Sequence, residues 1–154
     1  MKTFKKLSLF LLVILLCVSL VGCGEKVAKT PEEFNDFMES KDFTVADSTL
    51  FAQTVVTAKT VLTALNDNYE IDFYELNCEE TSKEFYNLNK EAFKSEDSSN
   101  FSTEVNGSNF DYFEMANDSG FRLTSRIDNT VLYCYTEVEY KDEIIKLVKE
   151  LGYY

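Results

Sequence analysis

The chain has 154 residues and a formal net charge of −12, and it contains no histidine and no tryptophan. The absence of histidine excludes Ser-His-Asp and Cys-His catalysis and zinc sites that use histidine. The excess of acidic residues argues against a nucleic-acid partner, which requires a basic surface. Because the sequence contains no EF-hand spacing either, we predict no metal site and no cofactor.

The N-terminal segment has the pattern of an export signal. Lys2, Lys5 and Lys6 precede an apolar run over residues 7–21, and small residues follow that run. The run is about 15 residues long, shorter than the roughly 20 residues that cross a bilayer core. Its end, Leu20-Val21-Gly22-Cys23, resembles the lipobox of bacterial lipoproteins.

This resemblance implies that Cys23 receives a diacylglyceryl group and that the chain is cut before it. We therefore predict a cleaved signal peptide (1–22), a lipidated cysteine with a tether (23–30) and a single α+β domain (31–154). The expected location is the extracytoplasmic face of the cell membrane, with the lipid anchor as the membrane contact. A plain transmembrane helix and a signal cleaved elsewhere are the alternatives.

The first element of the domain is a short helix. Thr30-Pro31-Glu32-Glu33 combines a capping residue, a proline suited to the first helical position and a glutamate that can complete a capping box. The helix is predicted to reach about Ser40, and a brief strand is predicted over 43–45. The segment 47–57 is ambiguous between helix and loop.

A hairpin and a helix come next. Strands are predicted over 60–65 and 69–76, with Asp67-Asn68 as a two-residue loop. One face of this hairpin is apolar (Leu62, Ala64, Ile71, Phe73), and the other is polar (Thr63, Glu70, Asp72, Tyr74). The helix is predicted over 79–93, and its inward side chains are predicted to be Thr81, Phe85, Leu88 and Ala92.

The rest of the chain repeats this order. A loop over 95–108 precedes a strand over 110–116 and a second hairpin, 121–127 and 130–136, around Asp128-Asn129. Its apolar face comprises Phe121, Leu123, Ile127, Leu132 and Cys134, and its polar face Arg122, Arg126, Tyr133 and Tyr135. A final helix over 139–151 ends at Gly152, with Tyr140, Ile144, Leu147 and Leu151 inward.

These elements predict an α+β fold, in which helices pack on one face of an antiparallel sheet. A shift of 61 residues aligns Asp67-Asn68 with Asp128-Asn129 and Tyr74 with Tyr135, and a shift of 59 aligns Leu88 with Leu147. Duplication of a hairpin-plus-helix unit explains this alignment. Two convergent amphipathic hairpins are the alternative.

Two cysteines remain once Cys17 leaves with the signal and Cys23 carries the lipid. Cys134 is predicted to be a buried, inert thiol because it lies on the apolar face. A disulfide with Cys78 is the alternative, since exported proteins form disulfides. A nucleophilic role is disfavoured because no histidine can activate the thiol.

The polar sheet face is the best candidate for function. Besides Glu70 and Asp72, it presents five candidate binding residues, Tyr74, Arg122, Arg126, Tyr133 and Tyr135. Arg122 is predicted to stack on Tyr135 across the second hairpin, and tyrosine with arginine makes good recognition surfaces. A merely solvated sheet face is the alternative.

We predict a non-enzymatic, lipid-anchored module that binds an envelope protein, peptide or glycan. A small hydrolase that uses carboxylates on envelope glycans is one alternative, and a purely structural envelope protein is another. No residue is nominated as catalytic.

Overall fold

A computed structural model describes residues 25–53, 56–95 and 101–154. The helices in these ranges are α1 (Pro31–Glu39), α2 (Thr49–Ala52), α3 (Glu79–Ser95) and α4 (Lys141–Leu151), and a 3₁₀ turn (Val138–Tyr140) precedes α4. The strands are β1 (Thr44–Asp47), β2 (Ala58–Leu65), β3 (Glu70–Leu76), β4 (Phe101–Asn106), β5 (Phe110–Asn117), β6 (Gly120–Ile127) and β7 (Thr130–Thr136). The predicted signal peptide and Cys23 lie outside the described residues.

The strands form one sheet in the order β1-β2-β3-β7-β6-β5-β4, and all neighbouring strands are antiparallel. The mixed α+β class and the antiparallel sheet are thereby confirmed. Leu65 pairs with Glu70, and Ile127 pairs with Thr130. Both hairpins therefore turn around the predicted Asp-Asn pairs, and the register places the predicted side chains on each face.

The start of α1 is built as its sequence predicts. The Thr30 side chain accepts a hydrogen bond from the Glu33 amide at 3.2 Å, and the Glu33 carboxylate accepts one from the Thr30 amide at 2.9 Å. Both amides would otherwise lack a partner in the first turn. The end of α4 is also confirmed, because Gly152 adopts a left-handed conformation with a φ of 97°.

Residues 25–30 have no regular secondary structure, but they pack on the domain. The Lys26 amide donates to Asn109 Oδ1 at 3.1 Å, and the Asn109 amide group donates to the Lys26 carbonyl at 2.7 Å. The Lys29 amide donates to the Tyr153 hydroxyl at 3.2 Å. This end of the predicted tether is therefore held at the turn between β4 and β5.

The main core lies on the apolar face of the sheet, under α1 and α4. Phe34 of α1 stacks on Phe73 of β3 with ring centroids 4.8 Å apart, and Ile144 and Leu151 of α4 join the same cluster. The strands contribute buried side chains that include Ala64, Ile71, Phe121, Leu123, Leu132 and Cys134. Burial of this apolar area stabilises the fold by roughly 25 cal/mol per Å² removed from water.

The prediction that helices cover one face only is wrong. Helices α2 and α3 lie on the opposite, polar face, where α2 contacts β2 and α3 contacts β3, β5, β6 and β7. Tyr86 and Phe93 of α3 form a second cluster with Phe113 and Met115 of β5. Helix α3 packs on the polar face because the strands beneath it carry large aromatic and apolar side chains between the polar ones.

The inward side of α3 also differs from the prediction. The buried side chains are Ser82, Tyr86 and Phe93, whereas Leu88 is 69% exposed. The helix is rotated by about one residue from the apolar stripe because it covers a polar surface. The Ser82 hydroxyl accordingly donates to the Asp128 carbonyl at 2.5 Å.

One loop prediction is wrong, and one ambiguous segment contains a helix. Residues 101–106, expected in a loop, form the edge strand β4, which pairs with β5 along its whole length. Within the ambiguous segment 47–57, residues 49–52 form the short helix α2. Residues 54–55 and 96–100 lie outside the described residues.

Both described cysteines carry free thiols. Cys134 is buried on the apolar face as predicted, and burial raises the pKa of its thiol. Cys78 is exposed just before α3, so the alternative of a disulfide between them is not realised. Among the described residues, no helix combines the length and apolar character needed to cross a membrane.

Candidate functional site

Two of the five predicted binding residues are buried, and one of them lies beneath the start of α3. Arg126 is 1% exposed: its Nε donates to Asp111 Oδ2 at 2.7 Å and its Nη1 to the Asp128 carbonyl at 3.0 Å. The same Nη1 lies 3.4 Å from Glu79 Oε1, at the first residue of α3. Arg126 therefore joins the start of α3 to the sheet.

Arg122 lies at the other end of β6 and is 3% exposed. It pairs with Tyr135 in the sheet, and its guanidinium carbon is 4.7 Å from the Tyr135 ring centroid, as predicted. Arg122 Nη1 also donates to Asn117 Oδ1 at 3.3 Å. Tyr135 is 50% exposed, and its hydroxyl donates to the Ser119 carbonyl at 3.1 Å.

Tyr133 and Tyr74 pack against different turns of α3. The Tyr133 ring is 5.5 Å from that of Phe93, and the Tyr74 ring is 4.8 Å from that of Phe85. The five predicted binding residues share the polar face of the sheet, but α3 covers part of that face. Tyr74 and Tyr135 are reachable from solvent, but they lie at opposite sides of the covered region.

The open part of the polar face is a groove of about 370 Å³ over β2 and β3. One wall is α2, and the other is Tyr74, which packs against α3. This β2–β3 groove is lined by Ser48, Phe51, Ala52, Val61, Thr63, Glu70, Asp72 and Tyr74. Its volume lies at the lower end of the range of small-ligand sites, roughly 300–1,000 Å³.

A chain of hydrogen bonds fixes the floor of the groove. The Ser48 and Thr63 hydroxyl oxygens are 2.9 Å apart, and Thr63 Oγ1 donates to Asp72 Oδ1 at 2.7 Å. The Tyr74 hydroxyl donates to Asp72 Oδ2 at 3.3 Å. Because Thr63 gives its only proton to Asp72, Ser48 must be the donor to Thr63. Both carboxylate oxygens of Asp72 are thereby held in place.

The surroundings of Asp72 disfavour the ionised form of its carboxyl group. Burial raises the pKa of the Asp72 carboxyl above its usual value of 3.8, and the hydrogen bonds from Thr63 and Tyr74 oppose this only in part. Burial also raises the pKa of the Tyr74 phenol, and the negative charge of Asp72 adds to that effect. The groove therefore combines a partly desolvated carboxyl group with a phenol that stays neutral at pH 7.

The two carboxylates of the groove have no cationic partner among the described residues. Elsewhere in the described chain, Lys59 pairs with Glu75 at 3.7 Å and Lys90 with Glu104 at 3.1 Å. No lysine or arginine lines the groove or forms an ion pair with Glu70 or Asp72 in the described part. The groove therefore has an uncompensated negative charge.

Only part of this site could be predicted from the sequence. Thr63, Glu70, Asp72 and Tyr74 lie on the polar face of the first hairpin as predicted. The α2 wall was missed, because a four-residue helix has too little periodicity to distinguish it from a loop. The polar Ser-Thr pair at the start of α2 was the available signal, since Ser48 and Thr49 both bond to β2.

Comparisons with protein-family models, with curated proteins and with solved structures found no match. The described residues contain no group of three or more His, Cys, Asp or Glu side chains placed to hold a metal ion. The chemistry of the groove is therefore the observation that bears on function.

Proposed function

We propose that this chain is a lipid-anchored, extracytoplasmic binding protein and that the β2–β3 groove is its ligand site. The observation that carries the proposal is the open groove with its aromatic wall and its two carboxylates, which lack a cation in the described chain. A fold stabilises itself by pairing or exposing charges, so a desolvated carboxylate without a cationic partner is typical of a functional site.

The anchoring part of the proposal comes from the sequence. The run Leu20-Val21-Gly22-Cys23 supplies the lipid attachment, and two acyl chains hold a protein on a bilayer far more firmly than one. Ligands would then be components of the envelope or of the medium beside it.

A carboxylate hydrolase is the second candidate, because the groove holds two acids. Glu70 and Asp72 are two residues apart on one strand, so their Cα atoms are separated by about 6.6 Å along the strand. A glycosidase needs its two carboxyl groups on opposite sides of the scissile bond. Since Glu70 and Asp72 stand side by side on the floor, the arrangement favours binding over hydrolysis.

Thiol protection tests whether the groove is occupied, and it does not require a known ligand. Ala52 lines the groove, so an Ala52→Cys variant in a Cys78→Ser background places a single reactive thiol there. We expect a membrane-impermeant maleimide to label this thiol rapidly in the purified protein and several-fold more slowly on intact native cells.

The matched control is Leu88→Cys, on the exposed side of α3. It should be labelled at the same rate on cells as in the purified protein, since it lies outside the groove. Equal protection of both thiols would mean general shielding by the envelope. No protection at Ala52→Cys would overturn the assignment of the groove as the ligand site.

We also propose that the two hairpins arose by duplication. The β2–β3 and β6–β7 loops are 61 residues apart, and the two hairpins lie side by side in the sheet through the pairing of β3 with β7. The following helices lie on opposite faces, with α3 over the polar face and α4 over the apolar face. The structural support for duplication therefore extends to the hairpins and not to the helices.

A further inference from the structure

We infer that the ligand of the β2–β3 groove carries an alkylammonium group, and that its source is the side chain of a lysine in an envelope peptide. This inference rests on the proposed function and names the ligand class of the same site. Charge, hydrogen-bonding capacity and the aromatic wall each support it.

The charge of the groove selects a cation. Asp72 is held on the floor and Glu70 is exposed beside it, and no basic side chain of the described residues lines the groove. Entry of an anion would bring a third negative charge into this space, whereas a cation would compensate charge that the fold leaves unpaired. The net charge of −12 also attracts cationic ligands from a distance.

The hydrogen-bonding groups on the floor are acceptors. The Thr63 and Tyr74 hydroxyl protons are both directed at Asp72, so these two groups can only accept further hydrogen bonds. The Thr63 oxygen already accepts one from Ser48, and the Tyr74 oxygen has no donor among the described residues. A carboxylate offers about four acceptor positions, so Asp72 retains capacity after these two bonds, and Glu70 adds its own. An ammonium group has three donors and no acceptor, and it therefore matches this set.

The walls of the groove suit the methylene chain that carries the ammonium group of a lysine. Phe51 of α2 is 83% exposed at the mouth of the groove, and Tyr74 forms the opposite wall. A lysine side chain buries its methylene stem on apolar surface while its ammonium group reaches a polar partner. Aromatic rings also attract a nearby cation, by about 0.5–1 kcal/mol at exposed sites.

Calorimetric titration of the acylated chain that begins at Cys23, held in detergent, tests the inference. The probes are acetyl-Gly-Lys-Gly-amide and its neutral counterpart acetyl-Gly-Gln-Gly-amide, and free cadaverine tests a polyamine source. We expect the lysine peptide to bind, the glutamine peptide to bind at least tenfold more weakly, and cadaverine to bind no more tightly than the lysine peptide.

Two groove variants and one control locate the binding. Asp72→Asn and Glu70→Gln should each weaken binding of the lysine peptide by about tenfold, because each removes a charge-assisted hydrogen bond. Glu84→Gln, on the exposed side of α3, removes one charge outside the groove and should leave binding unchanged. Thermal melting of each variant shows whether it is folded.

Equal binding of the lysine and glutamine peptides, or no binding of either, would overturn the inference. Equal weakening by Glu84→Gln and Asp72→Asn would also overturn it, because binding would then follow overall charge. If cadaverine binds more tightly than the peptide, the source is a polyamine and the peptide assignment is wrong. Thiol protection at Ala52→Cys without lysine-peptide binding would leave the groove assignment standing with a different ligand.

Discussion

At the scale of single residues, Asp72 shows how a fold can place a carboxylate where its charge is unfavourable. Its hydrogen bonds from Thr63 and Tyr74 orient it, but burial still raises its pKa above 3.8. A raised pKa means that the folded state holds the proton more tightly than the unfolded state. The residue therefore favours the fold at low pH and opposes it at neutral pH.

This sign gives a prediction for Asp72→Asn. The contribution of Asp72 to stability is present below pH 3.8 and is lost as the pH rises through the folded-state pKa. The free energy of unfolding of the variant, measured relative to wild type, should therefore increase between pH 4 and pH 7. Urea denaturation of both proteins at these two pH values measures the change. A decrease would mean that the folded-state pKa is lowered.

Arg126 was predicted to be a binding residue, and the structure gives it a packing role. The two-residue loop at Asp128-Asn129 made its strand position predictable, because a short loop fixes the register of a hairpin. Its burial could not be predicted in the same way, since it depends on where α3 lies. Register is a local property of the sequence, whereas burial of this arginine depends on contacts between distant elements.

Replacing Arg126 with methionine should destabilise the domain by about 3 kcal/mol. Its removal leaves the Asp111 carboxylate, at 2.7 Å, without its cation in a largely covered position. A second change, Asp111→Asn, should recover part of the loss. Chemical denaturation measures both effects. Lys83→Met removes an exposed ion pair with Glu79 and serves as the control, for which we expect little change.

At the scale of elements, α3 is where sequence patterning was least reliable. Its extent was predicted well, with the helix observed over 79–95, but its inward stripe was not. The most apolar stripe is the wrong guide for a helix that covers a polar face, because such a helix buries side chains that combine apolar and polar atoms. Tyr86 fits this description: its ring is buried, and its hydroxyl has no partner among the described residues.

Substitutions on the two sides of α3 should differ sharply. Phe93→Ala should cost about 3–5 kcal/mol, because the ring is buried against Phe113 and Tyr133. Leu88→Ala should change the free energy of unfolding by no more than about 0.5 kcal/mol, because the side chain is mostly exposed. Urea denaturation of the two variants under identical conditions measures both. Similar losses would mean that α3 packs through the stripe that contains Leu88.

Edge strand β4 shows a second limit of local patterning. Its sequence is rich in Ser, Thr and Asn, and most of its side chains are exposed, so neither composition nor alternation distinguishes it from a loop. It becomes a strand by pairing with β5, from Phe101 opposite Ala116 to Asn106 opposite Asp111. The hairpins were predictable because their turns and apolar faces are encoded locally, whereas β4 depends on a neighbour.

At the scale of the whole molecule, the strand order could not be derived from the sequence. The central β3–β7 pair joins strands more than 50 residues apart, and the chain pattern does not specify which hairpin edges meet. The pairing has a consequence for the groove, because Asp72 lies opposite Tyr133 across this central pair. The β2–β3 groove and the polar surface under α3 are therefore adjacent parts of one face.

The distribution of charge makes the role of the predicted lipid anchor testable. Removal of residues 1–22 takes away three of the 15 basic residues and none of the 27 acidic ones, so the net charge changes from −12 to −15. Anionic headgroups repel such a protein, and its surface adds no electrostatic attraction to the bilayer. If Cys23 carries the lipid, that lipid must account for nearly all of the membrane affinity.

We therefore expect a Cys23→Ser variant to incorporate no labelled palmitate and to remain uncut at residue 22, since both steps use the thiol. A second variant distinguishes the effect of the missing lipid from the effect of an uncleaved signal peptide. In this variant, the chain starts at residue 24 and follows a conventional cleavable signal. We expect it to be released almost completely into the medium. Cys78→Ser, which changes an exposed thiol of the domain, should leave both labelling and membrane fractionation unchanged. Retention of the residue-24 chain on membranes would show that the acidic domain binds the envelope directly. Absence of palmitate from the wild-type chain would contradict the prediction of a lipid anchor.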